Sequence, residues 1–282
     1  MSEQMINLDG IRSFYRDEGA GKTVLLVPGA GPGVDADISW SNIVPVLAQR
    51  FRVISVDTPG YGRSDMLRVT DSPENVAQHL LRLLDAIGIP VAAVVGHSRG
   101  ARVGCEMAVA SPSKVSHLAI LSSGSVVPDG FLDEAGQYTE SALALGHFGQ
   151  NGDTSLETFK KTFRMMLYRP DTLSDHVLEQ AYASFMPRCD EYVARTSAFD
   201  RLAYYSDAAA FQERLGTLRA PTLVVVGRED RTSSYKRQLA LIEAIPDVQV
   251  TVLPRCAHLA QLDRPNALTR ILTEFLERVD NA

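Results

Sequence analysis

No run in this 282-residue chain approaches the roughly 18 consecutive apolar residues of a membrane span. The start, Met1 to Gly10, lacks the basic stretch and apolar core of a signal peptide. Cysteine is scarce: Cys105, Cys189 and Cys256 are odd in number and widely spaced. That excludes a disulfide framework and suits a reducing cytoplasm. No Cys or His pair has metal-finger spacing, so no metal is expected. A positive stripe is missing too. Lys and Arg number 28 against 34 Asp and Glu, a formal net charge of −6, and the cations are scattered. The densest patch, Arg228 to Lys236, also holds Glu229 and Asp230. Nucleic acid is therefore not an expected partner, because phosphate binding needs clustered cations. Internal repeats and low-complexity segments are absent as well.

What is present is an alternation. Short apolar runs at Val24–Val27, Phe51–Val56, Val91–Val95, Val115–Leu121, Thr222–Val226 and Val248–Leu253 each end at Gly, Pro, Asp or Ser. Such β-branched runs read as buried parallel strands. Ile6 to Tyr15 reads as a hairpin turning at Asp9-Gly10. Between the strands lie helical patterns. In Pro73–Ile87, Ser72 can cap, Pro73 suits the first turn and Gly88 can end the helix, with Val76, Leu80, Leu83 and Ile87 on one face. Ala101–Ala110 and Pro265–Val279 read as further helices. The fold class is α/β: a mostly parallel sheet covered by helices on both faces, with chemistry beyond the carboxyl ends of its strands.

Residues 126–210 break the rhythm. They read as helices and carry well over half of the chain's Phe and Tyr. Residues 1–125 and 211–282 then form the core, and 126–210 a helical lid inserted after the strand that follows the nucleophile strand. Most of its aromatic rings are expected to build the lid's own packing, given the area each must bury.

Gly96-His97-Ser98-Arg99-Gly100 fits G-x-S-x-G between a strand and a helix. A sharp turn there lifts the Ser hydroxyl above the sheet, and its neighbours must be small. Ser98 is the candidate nucleophile. A serine needs a base, and the base an orienting acid. In the expected chain order of Ser, acid, His, Asp230 follows one strand and His258 the last. Glu229 is the rival acid. His97 reads as packing or bonding locally, and His79, His117, His147 and His176 as structural or solvated. Oxyanion donors are expected from the amide of Arg99 and from the loop Pro28-Gly29-Ala30-Gly31-Pro32-Gly33, Ala30 first and Gly31 second. The loop lacks a G-K-[ST] ending, and Pro32 breaks dinucleotide spacing, so phosphate cradling is the weaker reading.

Together these motifs resemble the α/β-hydrolase superfamily, and most closely its meta-cleavage product hydrolases, which split carbon–carbon bonds in ring-cleavage products. The shared features are the Gly29–Gly33 loop with Trp40 soon after, the segment Val53 to Asp65, the elbow at Ser98, and Leu167 to Asp175. The resemblance implies a Ser-Asp-His triad under a helical lid, without metal or organic cofactor, often in a homodimer. This sequence departs from the pattern in three places. Pro28-Gly29 stands for His-Gly, Arg99 follows the nucleophile, and Ala181 occupies the position of a lid Arg that grips a substrate carboxylate. Arg188 and Arg164 are the candidates to replace it. The expected function is hydrolysis of a small, largely apolar substrate. Either an ester, thioester or lactone, or a carbon–carbon bond next to a carbonyl, fits. A non-hydrolytic cyclase or acyl transferase and a ligand-binding receptor are the alternatives. Ser98 argues against epoxide hydrolases and haloalkane dehalogenases, which share the fold but use Asp.

Overall fold

The six apolar runs become six adjacent parallel strands: β3 (Thr23–Val27), β4 (Arg52–Val56), β5 (Ala92–His97), β6 (Val115–Leu121), β7 (Thr222–Gly227) and β8 (Val248–Leu253). This computed structural model describes residues 2–149, 151–197 and 210–278. The sheet has eight strands in the order β1-β2-β4-β3-β5-β6-β7-β8. Its antiparallel edge is a hairpin of β1 (Ser2–Leu8) and β2 (Ile11–Gly19), turning at Asp9-Gly10, and β2 also pairs antiparallel with β4. The hairpin is longer than the Ile6–Tyr15 reading. Its added residues are mostly polar and are held by ladder bonds and by the Arg52–Asp17 ion pair at 2.7 Å, which leave no apolar pattern.

Helices cover both faces. On one side lie α3 (Pro73–Ala86) and α4 (Arg99–Ala110), packed on Leu25, Val27, Ile54 and Val94. Ser72 caps α3 by accepting from the Asn75 amide, as its position before Pro73 suggests. On the other side, α1 (Ala36–Trp40), α2 (Val44–Leu47) and the closing helix Pro265–Leu276 bury Trp40, Leu47, Leu272 and Phe275 against Leu26, Val53 and Val95. At five and four residues, α1 and α2 are too short to show a helical period in the sequence. Val279, the last residue of the Pro265–Val279 reading, lies outside the described residues.

Between β6 and β7 the chain forms α5 (Glu140–His147), α6 (Leu156–Met165), α7 (Asp175–Phe185) and α8 (Cys189–Ser197). Thr139, Ser155 and Ser174 cap the first three through their hydroxyls. Residues 150 and 198–209 of the segment expected to be a lid lie outside the described residues. A third apolar cluster joins this insertion to the sheet. Phe148, Phe159, Phe163, Phe185 and Tyr192 pack with Val34, Tyr61, Leu259 and Leu262 from loops beyond β3, β4 and β8. Among the described residues the three cysteines are free and buried, and no helix is long and apolar enough to cross a membrane.

His79 on α3 is fully buried, with Nε2 2.7 Å from the Ser13 hydroxyl on β2. Burial, then nearby Arg82, lowers its pKa from 6.5 to about 4. Below pH 6.5 the unfolded chain therefore binds a proton that the folded chain refuses, so stability falls from about pH 6.5 to about pH 4. His79→Gln keeps a hydrogen-bonding group but cannot titrate. Urea melts across that window should show a shallower loss of midpoint in the variant than in the wild type. Parallel losses would rule out His79 as a source of the acid sensitivity.

Candidate active site

The strand order reverses around β3, which runs between β4 and β5, so a crevice opens beyond the carboxyl ends of β3 and β5. Ser98 sits there, at the turn from β5 into α4. Its backbone, φ 51° and ψ −121°, lies where a side chain is rarely tolerated, at a cost of about 1–3 kcal/mol. The surroundings enforce it. The Ser98 amide donates to Leu121 O at 2.9 Å, and its carbonyl accepts from the Ala101 amide at 3.0 Å and the Ser123 hydroxyl at 2.7 Å. Small neighbours are obligatory: a Cβ at Gly100 would lie 2.3 Å from the carbonyl oxygens of Val27 and Pro28, and one at Gly96 would lie 2.3 Å from Gly100 O. This explains both glycines of the motif by contact.

Two loops bring the other expected residues together. The His258 Nδ1 and an Asp230 carboxylate oxygen are 2.9 Å apart, with both side chains almost wholly buried. Asp230 is itself held from three directions, accepting from the Thr232 amide at 2.7 Å, the Ser233 amide at 3.1 Å and the Ser233 hydroxyl at 3.0 Å. Glu229, the rival acid, points elsewhere. Its carboxylate accepts from the Cys256 amide at 3.1 Å, while its own amide donates to Cys256 O at 2.9 Å, which pins the histidine loop to the acid loop. His97, on the strand end before Ser98, donates from Nε2 to His258 O at 2.9 Å, and its ring lies 4.8 Å from the His258 ring. Complete burial drives the His97 pKa well below its usual value, with His258 adding to the effect. His97 therefore stays neutral and acts as a spacer between the Ser98 turn and the histidine loop.

The Gly-rich loop closes over this turn: a Cβ at Gly29 would lie 3.2 Å from the Ser98 Cβ. Among the described residues, no acceptor takes the amide of Ala30 or of Gly31. Arg99 opens α4, so its amide belongs to the first turn, where intrahelical acceptors are lacking. Its guanidinium turns away to Asp71 at 2.7 Å. The three amides expected to hold an oxyanion thus stand on the two segments that flank Ser98.

The helical insertion grips both loops. Thr139 donates to Thr232 O at 2.9 Å, and Ser141 and Thr232 share a hydroxyl bond of 2.8 Å, beside Asp230. On the other loop, the His258 amide donates to Met166 O at 3.0 Å. Asp263 completes that junction, accepting from the Ala257 amide at 2.8 Å and the Tyr168 amide at 3.0 Å. Burial raises the Asp263 pKa, and these amide bonds oppose the rise. Sequence reading missed Asp263, because a single acid in a polar stretch carries no pattern. Its place five residues after His258 was the available signal.

Beyond the Gly-rich loop lies a cavity of about 170 Å³, lined among others by Gly31, Gly33, Asp35, Tyr61, Ala181 and Arg188. Whole-ligand pockets run to about 300–1,000 Å³, so this one suits a substrate fragment of a few heavy atoms. Ala181, where the resemblance expects an Arg, faces it without charge. Arg188, one proposed replacement, lines the cavity but donates to the carbonyl oxygens of Gly62 and Ser64 and to Glu191. Arg164, the other, is paired with Asp175 on an outer groove beside Lys160 and Arg231.

Comparison with known proteins agrees with this architecture. The alpha/beta hydrolase fold family matches residues 22–265. A 2-hydroxy-6-oxononadienedioate/2-hydroxy-6-oxononatrienedioate hydrolase of Cupriavidus pinatubonensis is 30% identical over 94% of this chain and 90% of its own length. A 2-hydroxy-6-oxo-6-phenylhexa-2,4-dienoate hydrolase of Burkholderia cepacia is 29% identical, covering 96% and 94%. Among solved structures, a meta-cleavage product hydrolase from Pseudomonas fluorescens IP01 superposes with a TM-score of 0.84 at 26% identity, over 97% of each chain. With the turn at Ser98, the paired loops and these matches in view, this chain belongs to the α/β-hydrolase fold family and is a hydrolase akin to the meta-cleavage product enzymes.

Proposed function

We propose that the chain is a serine hydrolase that cleaves a small, largely apolar substrate next to a carbonyl. The observation that carries this reading is the buried Asp230–His258 bond of 2.9 Å, on loops tied to the strained turn of Ser98. Ser98 Oγ attacks the carbonyl carbon and gives its proton to His258 Nε2. Asp230, accepting from Nδ1, fixes the tautomer that leaves Nε2 free as the base and stabilises the imidazolium. The amides of Arg99 and Ala30, with Gly31 next in line, receive the oxyanion. Collapse of the intermediate breaks the bond to the leaving group, which takes the proton from His258. Water then attacks the acyl-enzyme by the same route, His258 taking its proton and returning one to Ser98. An alcohol leaves in ester cleavage and a carbon fragment in carbon–carbon cleavage. The names of the relatives favour the second reading, and the uncharged Ala181 favours substrates other than their carboxylates.

In this reading residues 126–210 are a lid, and the substrate lies between its aromatic cluster and Ser98. The lid's grip on the two loops makes it part of the positioning machinery as well as a cover.

Two experiments test the reading. A fluorophosphonate should label Ser98 stoichiometrically, and Ser98→Ala should remove the adduct and lower kcat by about 10⁵–10⁶, as in another serine hydrolase. A loss under about tenfold overturns the assignment. Asp263→Asn replaces one acceptor oxygen by an N–H group facing backbone amides, which should loosen the His258 loop. We expect kcat to fall by about tenfold or more with little change in KM, and labelling of Ser98 to slow in parallel, because small misplacements of reacting groups are costly. Slower labelling separates a positioning role from a merely structural one. Unchanged kcat and labelling would mean that the junction with Met166 and Tyr168 plays no part in catalysis.

A further inference from the structure

The 170 Å³ cavity under α7 and α8 is lined by four charged groups, and three of them are already matched. Arg63 is bidentate on buried Asp57, through Nε at 2.7 Å and Nη2 at 3.1 Å, and its Nη1 reaches Asp37 at 3.0 Å. Asp37 also holds Arg16, at 2.6 Å. Arg188 is held by Glu191 at 3.0 Å and by the carbonyl oxygens of Gly62 and Ser64. Asp35 is the exception. One of its oxygens caps α1, accepting from the Ile38 amide at 2.8 Å, and among the described residues it forms no ion pair.

The cavity is also ill-suited to an anion. The Ala36 amide at the head of α1 is taken by Asp57 at 2.8 Å, and the Ile38 amide by Asp35. Neither remains for a ligand. The other walls are apolar or neutral: Val34, Tyr61, Ala181, Phe185 and Tyr192. Burial, with Asp57 and then Asp37 adding and Arg63 opposing, pushes the Asp35 pKa up to about 6. It is therefore mostly ionised above neutrality, in a place where an unshared carboxylate is costly. A donor brought by the substrate relieves that cost.

The cavity shares the Gly29–Gly33 loop with Ser98, so a substrate spanning the two would place one end against Asp35. Resting on the serine-hydrolase reading above, we infer that Asp35 selects substrates whose far end carries a hydrogen-bond donor, a hydroxyl, carboxamide or ammonium group, and rejects those ending in a carboxylate. A substrate carboxylate here would face Asp35, while the two cations that line the cavity, Arg63 and Arg188, already hold other partners, and like charges in a dry cavity are strongly disfavoured.

Binding to the Ser98→Ala protein, followed by calorimetry at about pH 8, separates recognition from turnover. The probes are benzyl esters of four-carbon acids ending in methyl, hydroxyl, ammonium or carboxylate. A second series carries the same endings on the alcohol side of benzoate esters. In at least one series the hydroxyl and ammonium probes should bind about tenfold or more tighter than the carboxylate. Adding Asp35→Asn, which keeps an oxygen to cap α1, should shrink that ratio to within about threefold. Asp35→Ser, a second capping residue, should do the same if the Asn protein folds poorly. Carboxylate binding equal to or tighter than hydroxyl in both series overturns the inference. So does a ratio that Asp35→Asn and Asp35→Ser leave intact, or no binding by either series. The serine reading fails separately, if Ser98→Ala still turns over an ester that the wild type cleaves.

Discussion

Everything at the active centre depends on one backbone contact, the approach of the turn after β5 to the end of β3. Gly100 lies so close to the carbonyl oxygens of Val27 and Pro28 that even a methyl group cannot enter. That closeness sets α4 against β3, brings Gly29 over Ser98, and puts the loop amides and the first amides of α4 around one point. The unfavourable backbone of Ser98 is the local cost. It is offset by bonds to Leu121, Ala101 and Ser123, which come from the neighbouring strand, the helix and the following loop. A side chain held this way has little freedom to relax, so the geometry of Ser98 is inherited from the sheet and is set before any substrate arrives.

The two loops that bear Asp230 and His258 owe their order to cross-ties. Glu229 joins one loop to the other, His97 joins the histidine loop to the Ser98 turn, and the insertion grips each loop from outside through Thr139, Ser141, Met166 and the Tyr168 amide, which donates to Asp263. The aromatic cluster beneath the insertion includes Leu259 and Leu262, which flank this same region. A movement of the insertion would therefore be felt at His258 through both packing and hydrogen bonds. If the insertion closes over a substrate and His258 is the base, as proposed, closure and alignment of the base are coupled, because one set of contacts serves both.

Much of this was legible in the sequence, for identifiable reasons. Parallel strands buried on both faces leave apolar runs, so β3 to β8 stood out. Sharp turns at strand ends demand glycine, so the Ser98 elbow and the Gly-rich loop did too. Chain order then singled out Asp230 and His258, and the structure joins those two side chains while giving Glu229 a bond to the Cys256 amide. The illegible parts share a different cause. Helices α1 and α2 are too short for a period, the far half of the hairpin is stabilised by ladder bonds and an ion pair, and Asp263 acts only through backbone amides, those of Ala257 and Tyr168. Nothing in the sequence singles out Asp35, which caps α1 in the structure. Its second role arises only because Asp37, Arg63 and Arg188 are each matched to other partners, which no linear pattern records.

That distinction bears on how far likeness to the dienoate hydrolases reaches. Thirty per cent identity across nearly the whole chain fixes the sheet, the elbow and the loops, since these depend on backbone packing that many side chains jointly enforce. Substrate choice depends instead on a few groups in a small cavity, where one charge can outweigh the rest of the lining. Here Ala181 offers no cation, Arg188 is occupied, and Asp35 brings a carboxylate. A protein can keep the catalytic frame of its relatives and still invert the charge that its substrate must carry. The frame and the cavity make separable claims, and in this chain they point to a shared chemistry acting on a different end group.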